Sequence, residues 1–137
     1  MLKFLIGDTD FKIDTKESNV SYDNSDQDNP LVTMEIVGDN TTFDAITESD
    51  DSKWSWALYP PKFYITEYPI TIDPLTGIAT ANADTGDLDK YEFAIYMMEH
   101  NNITNVKIII LPSGTIEITG TVDVMGEEYF FLIKWGK

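Results

Sequence analysis

Apolar and polar residues alternate along most of the chain, in short runs separated by Gly, Pro, Asn and Asp. Alternation with a period of two is typical of half-buried strands, and the separating residues are those that favour turns. The pattern predicts strands over residues 2–6, 11–15, 31–37, 41–47, 54–59, 63–72, 78–82, 106–111, 115–124 and 127–135. Hairpin turns are predicted at residues 7–10, 38–40, 73–77 and 112–114. Most neighbouring strands are therefore expected to pair antiparallel.

The segment 88–99 fits two structures. Its apolar residues alternate as in a strand from Tyr91 to Met97, yet others recur three or four positions apart, as in a helix. Asp87 can cap the start of such a helix and Asn101 can take the left-handed position after its end, which favours the helix. The expected fold is therefore α+β and predominantly antiparallel, with about 8 to 10 strands in a sandwich or partly closed barrel. One helix is expected near residues 88–99, within a single domain spanning residues 1–137.

The charge of the chain is its most unusual bulk property. Its 137 residues include 24 Asp and Glu against 9 Lys and no Arg, for a formal net charge of −15. Nucleic acid is not expected as a ligand, because Arg is the side chain that clamps phosphates and guanine edges. A membrane is not expected either, because no apolar run approaches the roughly 18 residues of a spanning helix. The N-terminal segment lacks the long apolar stretch of a signal peptide, so a cytoplasmic location is expected.

Catalytic side chains are scarce. The chain contains one His and no Cys, so a Cys nucleophile is impossible and a Ser-His-Asp triad would depend on that one His. The many carboxylates offer pairs for glycoside hydrolysis, but no particular pair stands out. We therefore expect a protein without enzymatic activity and without a cofactor.

One acidic loop is compared with calcium-binding loops. Asn24, Asp26 and Asp28 occupy positions 1, 3 and 5 of such a loop, and Glu35 lies at position 12, where a bidentate carboxylate is required. Pro30 occupies position 7 and no helices flank the loop, which favours a solvated acidic loop without a metal. A calcium-binding or small-ligand-binding β-domain stays an alternative.

The acidic residues of the first half of the chain are the candidates for contact with a partner. Many dispersed carboxylates suit docking onto a basic protein, since complementary fields accelerate association without a fixed motif. The expected steering residues are Asp23, Asp26, Asp28, Asp39, Asp44, Asp50 and Asp51. Tyr59 or Tyr64, on either side of Pro60-Pro61, is the expected aromatic anchor, whereas Trp54 and Trp56 are expected in the core.

A resemblance to a class of proteins supports this interpretation. The acidic, cysteine-free chain has a β-rich N-terminal half, and the segment Tyr96-Met-Met-Glu-His-Asn-Asn-Ile-Thr-Asn-Val106 leads to Gly120-Thr-Val-Asp-Val-Met-Gly126. In these features it resembles immunity proteins of bacterial toxin–immunity systems. The resemblance implies a cytoplasmic protein that binds one cognate toxin, covering its active site or locking its conformation. It implies no particular fold or site residues. A phage-encoded nucleic-acid mimic that blocks a defence enzyme is the alternative inhibitor.

Overall fold

The computed structural model describes residues 2–83, 91–95 and 101–136. These residues form eleven strands and one helix, α1 (Asn40–Thr47). The strands are β1 (Lys3–Ile6), β2 (Thr9–Asp10), β3 (Asn19–Asp23), β4 (Leu31–Val37), β5 (Lys62–Pro69), β6 (Thr71–Ile72), β7 (Ala79–Ala83), β8 (Tyr91–Ala94), β9 (Ile103–Ile110), β10 (Ile116–Val124) and β11 (Glu127–Trp135). Within the described ranges no helix has the length and apolar character to cross a membrane.

The strands form two antiparallel sheets. Sheet 1 has seven strands in the order β2-β1-β11-β10-β9-β7-β6, and sheet 2 has four in the order β3-β4-β5-β8. Neither sheet closes into a barrel. Aromatic rings join their inner faces: Phe93 of sheet 2 packs 5.9 Å from Phe4 and 4.8 Å from Phe131, both of sheet 1. The expected α+β, predominantly antiparallel fold is therefore confirmed, with eleven described strands where about 8 to 10 were expected, and a barrel is excluded.

The core lies between these two inner faces, and its strands follow the predicted alternation. Along β10 and β11 the apolar residues of one face are buried, and full burial of such a side chain stabilises the fold by about 1.5–3 kcal/mol. Gly120 is required in this core, because a Cβ there would lie 2.8 Å from the ring of Phe131. The alternating residues thus form the buried face of each sheet, and Gly120 leaves space for the ring of Phe131 between the sheets.

The single described helix lies where a strand was predicted. Residues 41–47 form most of α1, and the predicted turn 38–40 supplies its N-cap, Asp39, and its first residue, Asn40, instead of a hairpin. The side chain of Asp39 accepts a hydrogen bond of 2.9 Å from the backbone N–H of Thr42, which caps the helix. Phe43 is buried and Ile46 packs beside it at helical spacing. Cap and spacing together outweigh the β-branched residues that favoured a strand.

The helix predicted near residues 88–99 is wrong where the structure can test it. Tyr91–Ala94 is strand β8, which pairs with β5, and residues 88–90 and 96–99 of that range lie outside the described ones. Phe93 and Ile95 are buried, as the alternative alternating pattern required. Asn101, expected to end the helix, donates its backbone N–H to the carbonyl of Phe93 at 2.7 Å. The described part of this segment is a strand because Phe93 and Ile95, two positions apart, both point into the core.

The predicted hairpins are confirmed in part. The turn 73–77 joins β6 to β7, and the turn 112–114 joins β9 to β10. At the N-terminus the hairpin is tighter than predicted, because Ile6 pairs directly with Thr9 and residues 11–15 contribute only a bridge. The strand predicted over residues 54–59 is wrong, since these residues form turns before Pro60-Pro61.

Candidate functional site

The expected steering residues fall into two separate clusters. Asp23, Asp26 and Asp28 lie in or beside the loop that joins β3 to β4. Asp39 caps α1, which follows the other end of β4, and the other three steering residues lie in or after that helix. The seven residues of β4 span about 20 Å, so the clusters lie at opposite ends of sheet 2. We call them the loop cluster and the α1 cluster.

The carboxylates of the loop cluster are used to hold their own loop. Asp23 accepts the backbone N–H of Ser25 at 2.9 Å, and Asp26 accepts the N–H of Asp28 and the side-chain amide of Asn29, each at 3.0 Å. Hydrogen bonding by Ser25, through its side chain and then its backbone, lowers the pKa of Asp23 below its ordinary value. The side chain of Asn29 and then the backbone of Asp28 lower the pKa of Asp26 in the same way. The three aspartates are exposed. Turn formation therefore accounts for two of them without any ligand.

The calcium arrangement considered above is not assembled. Glu35 pairs with Asn19 within the β3–β4 ladder, whereas the loop containing Asn24, Asp26 and Asp28 closes at the pair of Asp23 with Leu31. Glu35 therefore lies four residues along β4 from the end of the loop, or about 13 Å. In the described part of the chain, no three His, Cys, Asp or Glu side chains are placed to hold a metal ion together.

The α1 cluster is more open to a partner. Asp44, Asp50 and Asp51 are exposed, together with Glu48, and none of these four side chains has a hydrogen-bond or ion-pair partner among the described residues. Asp39 is half-buried and serves as the helix cap, so its carboxylate is committed to the backbone. The carboxylates at residues 44, 48, 50 and 51 therefore face solvent without an internal partner among the described residues.

An open groove of about 590 Å³ lies beside the α1 cluster. It is bounded by the β1–β2 hairpin, by the C-terminal half of α1 and by the turns that follow the helix. The residues that line it are 8–10, Ala45, Ile46, Ser49 and 51–54. Asp8, Asp10 and Asp51 make its rim acidic, and Lys53 is its one cation. We call it the acidic groove.

Lys53 and Trp54 tie the walls of the acidic groove together. The ammonium of Lys53 contacts the carboxylate of Asp8 at 2.6 Å. It also lies 5.3 Å from the ring centre of Tyr129 and 5.8 Å from that of Trp54, within cation–π range. The indole N–H of Trp54 donates to the hydroxyl of Thr9 at 2.9 Å, and the ring is buried. The segment after α1 is thereby fixed to the β1–β2 hairpin.

Two titratable groups of this region are shifted. The hydrogen bond and charge of Lys53 hold the pKa of Asp8 below its ordinary value. The phenol of Tyr129 donates a hydrogen bond of 2.6 Å to Glu127, and this bond, with partial burial, raises the pKa of Tyr129. The negative charges of Glu127 and Asp8 add to that rise. The carboxylate of Asp8 and the neutral phenol of Tyr129 are therefore both favoured near neutral pH.

The two candidate anchors lie in different places. Tyr59 is 43% exposed and precedes Pro60-Pro61 at the end of sheet 2 that carries α1. Tyr64 is half-buried on the outer face of β5, between its cross-strand neighbours Glu35 and Glu92. Only Tyr59 therefore lies at the same end as the α1 cluster. The expectation that Trp54 belongs to the core is confirmed, while Trp56 is half-buried and packs against it.

Sequence reasoning missed the other side of this site. Asp8, Asp10 and Lys53 were not singled out, since their approach to α1 depends on a contact between residues 45 positions apart. The adjacency of Lys53 to Trp54 was the one local signal available. No known family model, curated protein or solved structure matches the chain. The function is therefore inferred from the site itself.

Proposed function

We propose that this protein is a stoichiometric inhibitor that binds a basic protein through the α1 cluster and the acidic groove, in the manner of an immunity protein that neutralises a cognate toxin. The observation that supports the proposal is the set of exposed carboxylates at residues 44, 48, 50 and 51. These carboxylates form no hydrogen bond or ion pair within the described fold. They can therefore contact a basic surface without breaking an internal interaction. The scarcity of catalytic side chains agrees with a role that needs binding alone.

The geometry supports a division of labour within the surface. The exposed carboxylates act at long range and steer a basic partner, since their potential extends about a Debye length, roughly 8 Å at physiological salt. The acidic groove then receives a cationic side chain of the partner between Asp10, Asp51 and the Lys53–Asp8 pair. Tyr59 supplies an exposed aromatic surface at the same end of the molecule. Steering controls the association rate, and the groove controls the lifetime of the complex.

The test compares two double variants that remove equal charge. Asp50→Asn with Asp51→Asn alters the α1 cluster, and Asp26→Asn with Asp28→Asn alters the loop cluster. Each variant and the unmodified chain is immobilised to capture proteins from a lysate of the native host at low and high salt. A single basic protein that is retained at low salt is then purified, and its association kinetics and inhibition are measured. We expect the first variant to slow association by about 10-fold and to flatten its salt dependence, with an unchanged melting temperature.

The control variant decides which face is used. If the Asp26 and Asp28 variant slows association and the Asp50 and Asp51 variant does not, the α1 cluster is the wrong surface. Displacement of the captured protein by DNA would favour the nucleic-acid mimic over a cognate immunity protein. Binding without one-to-one inhibition of the captured protein would contradict the inhibitor function itself.

A further inference from the structure

The outer face of sheet 1 differs in composition from the rest of the surface. Residues that alternate with the core positions of β1, β9, β10 and β11 point away from sheet 2. Among them Leu5, Ile109 and Leu132 are half-buried and Phe130 is 53% exposed. Leu5 lies directly opposite Leu132, and Phe130 lies opposite Thr121. Lys107 of β9, directly opposite Thr119 of β10, lies on the same face and is exposed. An apolar centre on β1 and β11, bordered by one lysine of β9, thus occupies one face of a chain that is otherwise strongly acidic.

Two pairs of like charges lie at opposite ends of this face. Lys3 is the direct cross-strand neighbour of Lys134, and Asp123 is the direct neighbour of Glu128. Like charges in such positions destabilise a sheet. Glu117 lies on the other side of Lys134, but the two form no ion pair in the described structure, and one oxygen of Asp123 accepts the N–H of Gly126. Neither pair is therefore neutralised by ion pairing within the described chain.

A second copy of the chain matches both pairs at once. Lys134 and Glu128 are six residues apart on β11, or about 20 Å. Rotation by 180° about an axis that lies in the sheet plane and crosses the strands obliquely, tilted by one strand spacing over that length, places the lysine pair of one copy over the acidic pair of the other, twice. In this arrangement Lys134 lies over Asp123 of the other copy, and Lys3 lies over Glu128. The same rotation stacks the apolar centre on itself. The charge pattern is thus self-complementary, as a two-fold symmetric interface requires.

The available area is sufficient for such an interface. The neighbouring strands β1, β11, β10, β9 and β7 have 4 to 9 residues each, and at a spacing of about 4.8 Å they cover roughly 550 Å² on each copy. The total of about 1,100 Å² lies above the roughly 1,000 Å² expected of a specific interface. Asp44, Asp50 and Asp51 belong to no strand of sheet 1, so these exposed carboxylates are not part of the face.

We infer that the protein forms a symmetric dimer through the outer faces of sheet 1, with the lysine pair of each copy over the acidic pair of the other. The occupant of this face is a second copy of the same chain. Because each copy carries a net charge of −15, long-range repulsion opposes the contact and salt screens it. The dimer is therefore stronger at high salt than at low salt, the opposite of the dependence expected for the proposed inhibitory complex. The inference is independent of the proposed function.

Sedimentation equilibrium of the purified chain over a wide concentration range, at low and high salt, tests this dimer. We expect a monomer–dimer equilibrium that shifts to dimer as salt rises. Phe130→Asp should raise the dissociation constant by about 10-fold or more, because it places a charge in the apolar centre. Leu75→Asp is the matched control, since Leu75 is 93% exposed in the β6–β7 turn and should leave the dimer unchanged.

A charge exchange keeps the test decisive if Phe130→Asp does not fold. Lys3→Glu should weaken the dimer, and adding Glu128→Lys should restore it, because Lys3 of one copy faces Glu128 of the other. A monomer at every concentration and salt would overturn the inference. So would a dimer that is unaffected by Phe130→Asp, or one that the second charge change weakens further instead of restoring.

Discussion

At the scale of single residues, four neighbouring side chains hold the acidic groove in shape. Lys53 joins Asp8 by an ion pair, and its ammonium also lies over the rings of Trp54 and Tyr129. The rings of Trp54 and Tyr129 lie 5.3 Å apart, which adds an aromatic contact. The one cation of the groove therefore has a structural role, and the remaining carboxylates stay available to a basic partner.

Tyr129 provides a residue-scale prediction about pH. Its hydrogen bond to Glu127 raises its pKa above the ordinary value of 10.0, so the folded state favours the neutral phenol. A group whose pKa is raised on folding stabilises the fold fully below its unfolded pKa, and this stabilisation is lost as pH rises through the folded pKa. We therefore expect the free energy of unfolding to fall at alkaline pH. Denaturant titrations at a series of alkaline pH values measure it.

The variant Glu127→Gln separates this effect from general alkaline denaturation. It removes a negative charge and weakens the hydrogen bond, so the pKa of Tyr129 should move back toward its ordinary value. The difference in ultraviolet absorbance between each protein and its Tyr129→Phe variant isolates this one phenol from the other six tyrosines. An unchanged pKa in Glu127→Gln would contradict the assigned cause.

At the scale of secondary structure elements, Asp39 separates a structural role from a steering role. Its carboxylate caps α1 through the N–H of Thr42. Asp39→Ala should lower the free energy of unfolding by about 1 kcal/mol, whereas Asp39→Asn keeps an oxygen acceptor and should cost much less. Both variants remove the same charge. Urea denaturation checks the prediction, and equal losses in the two variants would show that charge, not capping, explains the effect.

The elements that the sequence predicts well are those defined by adjacent residues. The predicted strand 127–135 has the bounds of β11, and the turn 73–77 joins its two strands as expected. Two of the segments assigned to the wrong element, 41–47 and 91–94, each carry apolar residues compatible with both periods. The structure of each segment depends on the distant residues against which it packs. The local sequence pattern does not contain that information.

The sequence predicts which types of residue form the candidate site. It does not predict which of these residues lie close together in the fold. The acidic character of residues 44, 50 and 51 follows from the sequence, and the structure leaves these side chains exposed. That Asp23, Asp26 and Asp28 lie about 20 Å away depends on the direction of β4, which joins the two clusters. The contribution of Asp8 to the site depends on its distant partner Lys53. Long-range contacts of this kind decide which of the many carboxylates act together.

At the scale of the whole molecule, the net charge of −15 predicts a dependence of stability on salt. Self-repulsion destabilises a compact acidic chain, and added salt shortens its range from about 30 Å at 0.01 M to about 3 Å at 1 M. The described residues contain two ion pairs that salt would weaken, Lys53–Asp8 and Lys62–Glu92. Repulsion involves many more charges, so it should dominate.

We therefore expect the melting temperature to rise by a few degrees between low and high NaCl concentration, about the change that 1 kcal/mol produces in a domain of this size. The measurement is best made on Phe130→Asp at low protein concentration, so that self-association does not contribute. A melting temperature that falls with NaCl would mean that the two ion pairs outweigh the repulsion.

The pairing of β1 with β11 has a consequence for how the chain is made. Phe4 of β1 lies opposite Ile133 of β11, so the first strand to be synthesised pairs with the last of the eleven. At about 5–20 residues per second, roughly 6 to 26 seconds separate the synthesis of these two positions on the ribosome. Throughout that interval the apolar side chains of β1 have no native neighbour on the β11 side. Folding of sheet 1 is therefore completed after translation of β11, and the waiting segment is a natural target for a nascent-chain chaperone.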